Sequence, residues 1–324
     1  MRLISEAISP STAPVVITRY HSGLRDLWDT FVRDSKNGTF LFLRDYMDYH
    51  HERFEDCSLV VWWAGEPVAL LPANMDATTV WSHQGLTYGG FVTSARMTTP
   101  RLLASFNAAV EFLRGEGATE LIYKTVPHIY HRLPAEEDLY ALFRARARLY
   151  RRDVLSVLCT ADPGPVQARR MRGARRAERA GIVITESAAW DEFWPLLTRR
   201  LVERYGRPPV HTLEEIHLLN SRFPENIRLF VGLESGSIAG GVVMYVSQQV
   251  AHVQYMAATE CGLALGVLDL IHLHLLEQVF PTIRYYDFGI SNEAEGQYLN
   301  VGLIEQKEGF GARAVAHDFY RLAL

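Results

Sequence analysis

The sequence predicts an α/β protein made of two domains. The chain has 324 residues, which is more than one hydrophobic core usually supports, so two domains of about 150 residues each are expected. Apolar runs with the period of a strand and runs with the period of a helix follow one another along the chain. The order strand, two helices, hairpin strands, long helix and strand occurs twice, although the halves differ too much in sequence to prove a duplication. Such mixing is typical of an α/β fold with helices packed on sheets.

The first half follows this plan from residue 13 onward. The run SLVVWWAGEPVALLPANMD at 58–76 predicts a hairpin, because Ala-Gly-Glu-Pro separates two apolar stretches. Glycine closes the amphipathic pattern of 101–117, as expected at a helix end. The other predicted elements are a strand (13–20), two helices (24–35, 42–54), two strands (86–92, 120–127), a helix (136–153) and a strand (154–161).

The second half repeats the plan with longer strands. Residues 227–259 predict a three-strand meander, with turns at Glu-Ser-Gly-Ser and Ser-Gln-Gln. A long apolar helix follows it, before a strand at 284–290 that contains Asp-Phe-Gly. The other predicted elements are a strand (181–187), two helices (190–206, 212–223) and a final strand, ARAVAHDFYRLA.

The domain boundary is predicted between these halves. Pro163, Gly164 and Pro165 interrupt the preceding element, and an arginine-rich run follows them. The predicted organisation is therefore an N-terminal domain at 1–161, a basic helical linker at 162–180 and a C-terminal domain at 181–324.

Composition excludes several classes of protein. Hydrophobic residues make up 48% and charged residues 22%, and the net charge is −4, so nothing global indicates disorder or nucleic-acid binding. Three distant cysteines predict neither a disulfide framework nor a metal site.

Residues 1–20 contain no uninterrupted apolar core of a secretory signal, and no run reaches the roughly 18 apolar residues of a membrane span. A cytoplasmic protein is expected. The motifs of hydrolase elbows, zincins and P-loops are absent from the sequence.

One stretch combines a strand, a glycine loop and a helix start. VQYMAA leads into TECGLALGVLD, where Cys261, Gly262 and Gly266 lie at the predicted helix N-terminus. Unpaired N–H groups and the partial positive charge of a helix start favour anions, and glycine lets a phosphate approach closely. These three residues are candidates for binding the phosphates of a cofactor. Alternatively, the two glycines permit only a turn and close packing.

Two neighbouring strands carry candidate catalytic residues. In a regular strand His252 and Gln254 share a face with Met256, and a His beside a Gln could bind or deprotonate an amine. Asp287 lies at a strand end, where ligand crevices of α/β proteins form. The alternatives are a hydrogen-bonded histidine in a half-buried sheet and a carboxylate that caps the next turn.

Two further groups are candidates for binding substrate. The run ARRMRGARRAERAG holds six arginines, and on a helix Arg172 and Arg176 share a face that could hold phosphates. A solvated helix explains the same run. In the first half, SHQGLTYGGF and YKTVPHIYHRLPAEEDLY crowd polar and aromatic residues together, which is typical of a crevice or of hydrogen-bonded loop packing. The candidates in these two segments are His83, Tyr88, Lys124 and His128.

Several of these segments together resemble a known family. RRMRGARRAERAGIVI, HVQYMAA, YYDFGIS and EQKEGFGA are similar to the FemAB-like branch of the GNAT acyltransferase superfamily. SHQGLTYGGF, YKTVPHIYH and PVHTLEEIHLL resemble a bacterial subgroup of acetyltransferase-domain proteins within it. The resemblance covers about residues 15–324 and is best in the second half. It implies two tandem GNAT-like domains, each a mixed, mostly antiparallel sheet flanked by helices.

The resemblance also implies an activity and further site residues. It implies transfer of an acyl group to an amine, from acyl-CoA or, in FemABX enzymes, from aminoacyl-tRNA. Lys307 in EQKEGFG matches a functionally important lysine of FemX-type enzymes. Tyr255 and Gln254 are expected to orient the acyl carbonyl, and Asn292 and Asn300 to bind substrate. The loop CGLALG departs from the Q/R-x-x-G-x-G/A pattern of GNAT proteins, and the long helical arm of FemABX members is absent.

The expected function is therefore an N-acyltransferase, in which His252 acts as general base or positions the acceptor, and Asp287 and Lys307 bind the acceptor or stabilise charge. We expect acyl-CoA, and specifically acetyl-CoA, as co-substrate, no permanently bound cofactor and no metal. The acceptor would be a sugar or peptide precursor of the cell envelope or of a surface polysaccharide. Aminoacyl-tRNA is the alternative donor, and only then is RNA a partner; neither DNA nor a membrane span is expected. A catalytically inactive binding protein is the remaining alternative.

Overall fold

The computed structural model describes residues 14–324. Residues 1–13, which bear most of the prediction about a secretory signal, lie outside the described residues. The chain forms two compact units. The first unit comprises the residues up to Tyr150 together with Phe319–Leu324, and the second comprises Arg151–Asp318. The chain therefore divides at 150/151 and 318/319, whereas the sequence predicted a boundary after 161 and a linker to 180.

The described residues of the first unit form eight strands and four helices that lie wholly within it. Its strands are β1 (Val15–Arg19), β2 (Glu55–Asp56), β3 (Leu59–Trp63), β4 (Glu66–Leu71), β5 (Asn74–Asp76), β6 (Thr79–Trp81), β7 (Val92–Thr93) and β8 (Glu120–Lys124). Its helices are α1 (Arg25–Asp34), α2 (Arg44–Met47), α3 (Thr99–Gly115) and α4 (Glu137–Arg144), with 3₁₀ turns at Ser22–Leu24, Phe40–Phe42, Asp48–His50 and His128–Tyr130. Strands β1, β3, β4 and β7 form one antiparallel sheet.

The second unit carries the longer strands. Its strands begin with β9 (Arg148–Cys159), whose first three residues belong to the first unit, and continue with β10 (Val183–Ser187), β11 (Ile227–Glu234), β12 (Ser237–Val246), β13 (Val250–Ala258), β14 (Tyr285–Ile290), β15 (Asn292–Glu293) and β16 (Tyr298–Leu299). The last strand, β17 (Arg313–Ala323), begins in the second unit, and its residues from Phe319 onward belong to the first. Its helices are α5 (Ala168–Arg179), α6 (Trp190–Tyr205), α7 (Leu213–Arg222), α8 (Glu260–Leu265), α9 (Val267–His274), a π turn (Leu275–Val279) and α10 (Val301–Glu308).

Six strands of the second unit form its main sheet, in the order β10, β11, β12, β13, β14 and β9. All neighbours run antiparallel except β13 and β14, which are parallel. Apolar side chains of β12, β13 and β14 bury one face of this sheet against α5 and α9, with Val267, Ile271 and Tyr286 fully buried in that core. The α/β fold class of mixed, mostly antiparallel sheets with helices is thus confirmed.

The segment predicted as a basic linker is part of the second unit. Its helix α5 packs on α9, because Gly173, Ala174 and Ala177 form a buried face of small residues. A Cβ at Gly173 would lie 1.9 Å from Asp269 Oδ2, so only glycine allows this approach. The predicted long helix after the meander is also interrupted. Gly266 adopts a left-handed conformation (φ +87°) between α8 and α9, and this ends the first helix after six residues.

Three other predictions need correction. The helix expected at 136–153 ends at Arg144, and residues 148–159 form one strand instead. This strand can hold charged residues because Arg152 pairs bidentately with Asp318, at 2.6 and 2.7 Å. The strand expected at 86–92 begins only at Val92, because side chains rather than a neighbouring strand bind the preceding backbone. The helix expected at 42–54 is the single turn α2, followed by a 3₁₀ turn.

In the part of the chain that the structure describes, every helix is too short or too polar to cross a bilayer. Likewise, the described residues contain no cluster of three or more His, Cys, Asp or Glu side chains that could hold a metal ion.

Candidate active site

The parallel strands β13 and β14 separate at one defined point. Their pairing runs from Val250 opposite Tyr285 to His252 opposite Asp287. Immediately afterwards β13 bulges, because Met244 of β12 is opposite Val253 whereas Val243 is opposite Tyr255. A bulge bends a strand and leaves one residue, here Gln254, outside the ladder. On the other strand, pairing of β14 with β9 shifts register between Asp287 and Ile290. Both strands therefore change course just beyond the pair His252 and Asp287.

His252 and Asp287 are hydrogen-bonded at this point. Nδ1 of His252 lies 2.9 Å from Oδ2 of Asp287, whose side chain is 0% exposed, whereas the His252 side chain is 13% exposed. The other carboxylate oxygen accepts from the N–H of Gly289 at 2.7 Å. Because an ionised carboxylate only accepts, it holds the proton on Nδ1 and leaves the Nε2 lone pair free. A histidine held in this way can accept a proton from a substrate.

Gly289 makes this arrangement possible. Its φ is +72°, a conformation that favours glycine, and a Cβ there would lie 3.3 Å from Cε1 of His252. In the DFG sequence of β14, Asp287 therefore places its carboxylate against the His252 imidazole, and Gly289 lets the backbone pass the ring without a steric clash.

Lys307 supports the same bend from α10. Its Nζ donates to the carbonyls of Gly289 (3.0 Å) and Ile290 (2.5 Å), and the residue is 4% exposed. Burial lowers the pKa of Lys307 to about 8, against the charge of Asp287, which raises it. Lys307 is thus buried at the bend and is not exposed in an ion pair with the glutamates that flank it in the sequence, Glu305 and Glu308. Lys307 contacts the backbone of the site and not its open side.

The bulge redistributes the side chains of β13. Since Val243 and Tyr245 of β12 share a face, their partners Tyr255 and His252 also share a face. Met256 packs instead with the core on the opposite face, so the regular alternation predicted for His252, Gln254 and Met256 is wrong at Met256. Gln254 Oε1 is buried and accepts no hydrogen bond from any residue within 14–324.

Tyr255 is held by a residue that the sequence analysis did not select. Nδ1 of His211 lies 2.7 Å from the Tyr255 hydroxyl, and the Trp194 ring meets the Tyr255 ring edge-on at 5.5 Å. Burial raises the pKa of Tyr255, while hydrogen bonds from the Gln254 side chain and the backbone of His211 and Val210 lower it. The signal available in the sequence was the capping-box pattern that begins at the next residue, Thr212.

Of the residues predicted to bind phosphate, Cys261 and Gly262 lie in the first turn of α8 and Gly266 lies between α8 and α9. Packing explains both glycines. A Cβ at Gly262 would lie 2.2 Å from the carbonyl oxygen of Ala239, and one at Gly266 would lie 2.7 Å from that of Gly173. The Gly262 N–H donates to the capping hydroxyl of Thr259 at 3.0 Å. Cys261 is exposed, and its Sγ lies 3.6 Å from Glu234. The structure thus supports the alternative of turn and close packing for the glycines.

The remaining second-unit candidates are dispersed. Arg172 and Arg176 are exposed on α5, and Arg176 donates to the Leu265 carbonyl at 3.1 Å. Asn292 Oδ1 accepts from the N–H of Val154 at 2.6 Å, so it fixes the β15 strand to β9. Asn300 caps α10 by accepting from Leu303 at 3.1 Å. Both asparagine side chains therefore have structural partners.

The first-unit candidates organise their own loop. His83 is buried at φ +74° with its ring stacked on His50, and Lys124 Nζ donates to the Leu86 carbonyl. The hydroxyl of Tyr88 bonds Thr39 at 2.9 Å, whereas His128 is exposed. Hydrogen-bonded loop packing, the alternative considered for this cluster, accounts for the three buried residues. A surface hollow of about 470 Å³ in this unit is lined by other residues, namely Thr99, Pro134, Glu136, Glu137 and Tyr140.

Comparison with known proteins agrees with this architecture. Residues 166–298 match the family model of the acetyltransferase (GNAT) domain. A search of curated proteins found no match. The crystal structure of FemX is similar at a TM-score of 0.63 and 12% identity, over 93% of this chain and 96% of that one. A tandem GNAT protein from the clavulanic acid biosynthesis pathway is similar at 0.51 and 13%, over 96% and 98%.

A third structure is the C-terminal domain of a putative lysylphosphatidylglycerol synthetase from Agrobacterium fabrum. It is similar at a TM-score of 0.56 and 12% identity, over 78% of this chain and 80% of that one. Identities this low establish the fold alone. Residues 166–298 therefore match a GNAT acetyltransferase domain, and the chain has the fold of FemX and of the tandem GNAT protein, as its sequence predicts.

Proposed function

We propose that the protein is an N-acyltransferase whose reaction takes place where β13 and β14 separate. The observation that supports this most directly is the hydrogen-bonded pair of His252 and Asp287 at that point. In the proposed reaction His252 Nε2 accepts a proton from the acceptor amine, whose nitrogen attacks the acyl carbonyl. The tetrahedral intermediate collapses as the bond to the donor breaks, and the leaving group takes up a proton.

Other residues of β13 and β14 have supporting roles in this proposal. Asp287 keeps His252 in the tautomer that has a free Nε2. Gln254 and Tyr255, at the bulge and directly after it, orient the acyl carbonyl. Lys307 acts through the backbone it binds and holds the bend that carries Asp287.

We propose acyl-CoA, and specifically acetyl-CoA, as the donor, supported by the GNAT domain match. The start of α8 gives little support for a CoA donor. The carboxylates of Glu260 and Glu234 lie beside Cys261 there, and they would repel a pyrophosphate. The proposed acceptor is an amine on a sugar or peptide precursor, in cell-envelope or surface-polysaccharide synthesis.

A second donor, aminoacyl-tRNA, is favoured by one specific observation. Helix α5 exposes several arginines on one element, Arg169, Arg172, Arg175, Arg176 and Arg179. Such a surface suits the phosphates of RNA, and binding through it would weaken steeply with salt. Titration of tRNA against the wild type and an Arg172→Ala, Arg176→Ala variant, at two salt concentrations, tests this donor.

The test of the proposed function is a thioester-consumption assay with acetyl-CoA and a panel of amino sugars and peptides. We expect His252→Ala to lower kcat by about 100-fold or more, the usual scale for losing acid–base assistance. His217→Ala is the matched control, because His217 is an exposed histidine on α7 of the same unit. A His252→Ala enzyme that turns over like the wild type refutes the assigned role.

A further inference from the structure

The segment between α6 and α7 contains one buried side chain. Residues 206–212 are otherwise exposed or, at Pro209, partly exposed, whereas His211 is 5% exposed. A short, exposed, proline-containing segment does not need a buried polar ring for its own packing. What His211 contacts therefore indicates what it does.

The start of α7 fixes His211 from one side. Thr212 accepts from the Glu215 N–H at 3.2 Å, and the Glu215 carboxylate accepts from the Thr212 N–H at 2.8 Å. This reciprocal capping box pins the first turn of the helix, and buried Ile216 and Leu219 anchor that helix to the unit. His211 thus projects from a rigid position.

Tyr255 receives His211 on the other side. The two side chains are 2.7 Å apart at Nδ1 and the hydroxyl, with their rings edge-on at 5.8 Å. Trp194 contacts the Tyr255 ring edge-on as well, so both the ring and the oxygen are held. A His211 tautomer with its proton on Nδ1 donates to the Tyr255 oxygen and leaves the phenol proton for another acceptor.

Tyr255 shares a face of β13 with His252. The bulge places both opposite residues of β12 that lie on one face, Val243 and Tyr245. We propose that His211 is a positioning residue of the acyl-transfer site: its Nδ1–H donates to the Tyr255 oxygen and aims the phenol proton at the carbonyl oxygen of the acyl group. Preorganised donors of this kind stabilise the developing oxyanion without reorganisation. This inference rests on the proposed function.

Activity measurements on single and double variants test the positioning. We expect His211→Ala and Tyr255→Phe each to lower kcat about tenfold or more, with less effect on KM, because the hydrogen bond strengthens in the transition state. The double variant should be no slower than the slower single variant, since His211 acts through Tyr255. His211→Asn, which keeps a donor near the position of Nδ1, should restore most of the rate, whereas His211→Gln should not. His217→Ala is the control.

A second measurement is independent of turnover. In protein labelled with fluorotyrosine, the Tyr255→Phe variant assigns the Tyr255 resonance. His211→Ala should shift that resonance, and His217→Ala should leave it in place. Circular dichroism and thermal unfolding establish that each variant is folded.

The two proposals fail in different ways. Wild-type protein that consumes no thioester with any amine refutes the proposed function. Active wild-type protein whose His211→Ala variant is equally active, or whose His211 and Tyr255 effects multiply in the double variant, refutes the positioning role. A Tyr255 resonance that His211→Ala leaves unmoved also overturns it, whatever the activity.

Discussion

Replacing Asp287 by asparagine changes one atom of the candidate site and reverses one hydrogen bond. Asp287 is fully buried, with Oδ2 2.9 Å from His252 Nδ1 and Oδ1 bound to the N–H of Gly289. Asparagine has the same shape, and its oxygen can keep the bond to Gly289. Its amide nitrogen, however, donates, so it can pair with Nδ1 only if that nitrogen carries no proton. The proton of His252 must then move to Nε2, which can no longer accept one from substrate.

The expected magnitude follows from this change. Loss of acid–base assistance costs about 10²- to 10⁴-fold in kcat, equivalent to about 3 to 5 kcal/mol of transition-state stabilisation. The free energy of unfolding should fall by less, about 1 to 3 kcal/mol, because the bond to Gly289 is kept while the bond to His252 is weakened and buried Lys307 loses a nearby negative charge. A loss of transition-state stabilisation that exceeds the loss of stability is therefore the signature of a tautomer effect.

Thioester consumption and urea unfolding together provide the assay. The variants are Asp287→Asn, His252→Ala and the double substitution, with exposed Asp191→Asn as control. The double variant should be about as slow as the slower single variant, because both changes remove the same base. An Asp287→Asn enzyme within about threefold of the wild type, or single effects that multiply, would refute the reasoning.

Three further predictions concern stability. The pKa of buried Lys307 is about 8, against 10.5 when free. Between these pH values the unfolded state binds more protons than the folded state, so the free energy of unfolding should rise with pH, by up to about 3 kcal/mol. Urea unfolding at several pH values should show this rise in the wild type and not in Lys307→Met. Burial lowers the pKa of His272 to about 3 from 6.5, so the unfolded state protonates first, and stability should be lost as pH falls below 6.5, by up to about 5 kcal/mol near pH 3. His272→Gln should flatten that part of the stability curve, and a curve that the substitution leaves unchanged would contradict this. Gly262→Ala should lower the free energy of unfolding by about 1 to 3 kcal/mol, because its Cβ would lie 2.2 Å from a backbone oxygen. The control Gly302→Ala, at an uncrowded helical position, should be neutral or slightly stabilising. Equal melting temperatures for the two variants would contradict this.

The periodic elements of the fold could be predicted from the sequence. The meander of 227–259 and the helices at 190–206 and 212–223 have strong alternation, amphipathicity or capping signals, and each occurs at nearly the predicted position. The misassigned segments are those where side chains from distant residues decide the backbone. The loop before Val92 is bound by Tyr123 and Lys124, and α5 is buried through Gly173, whose neighbour Asp269 lies 96 positions away. Local pattern carries no information on such contacts.

The candidate site was predictable in part. His252 and Asp287 could be selected because each lies on an apolar strand that offers few other polar residues, and the structure brings them together. The bulge at Gln254 could not be foreseen, since nothing in VQYMAA marks the extra residue, and with it the shared face of His252 and Tyr255 was missed. His211 lies in an exposed segment between helices, where no periodicity singles it out.

The contact between Lys307 and the bend of β14 connects two motifs that are separate in sequence. Pairing of β14 with β9 shifts between Asp287 and Ile290, and backbone carbonyls at such an irregularity need other donors when they are buried. Lys307 supplies donors to two of them, at Gly289 and Ile290. Arginine would carry its donors on a wider, planar group, and glutamine would offer fewer.

Burying an ammonium costs free energy, which the lowered pKa of Lys307 reflects. That cost is tolerable because the same residue satisfies the bend and lies near the negative charge of Asp287, which in turn needs a nearby cation when buried. The lysine of EQKEGFG and the glycine of DFG are therefore linked by a hydrogen bond at the bend, and that glycine and the histidine of AHVQY are both bonded to the Asp287 carboxylate. Of these residues His252 is the partly exposed one, at 13%, which is why the proposed proton transfer is assigned to it.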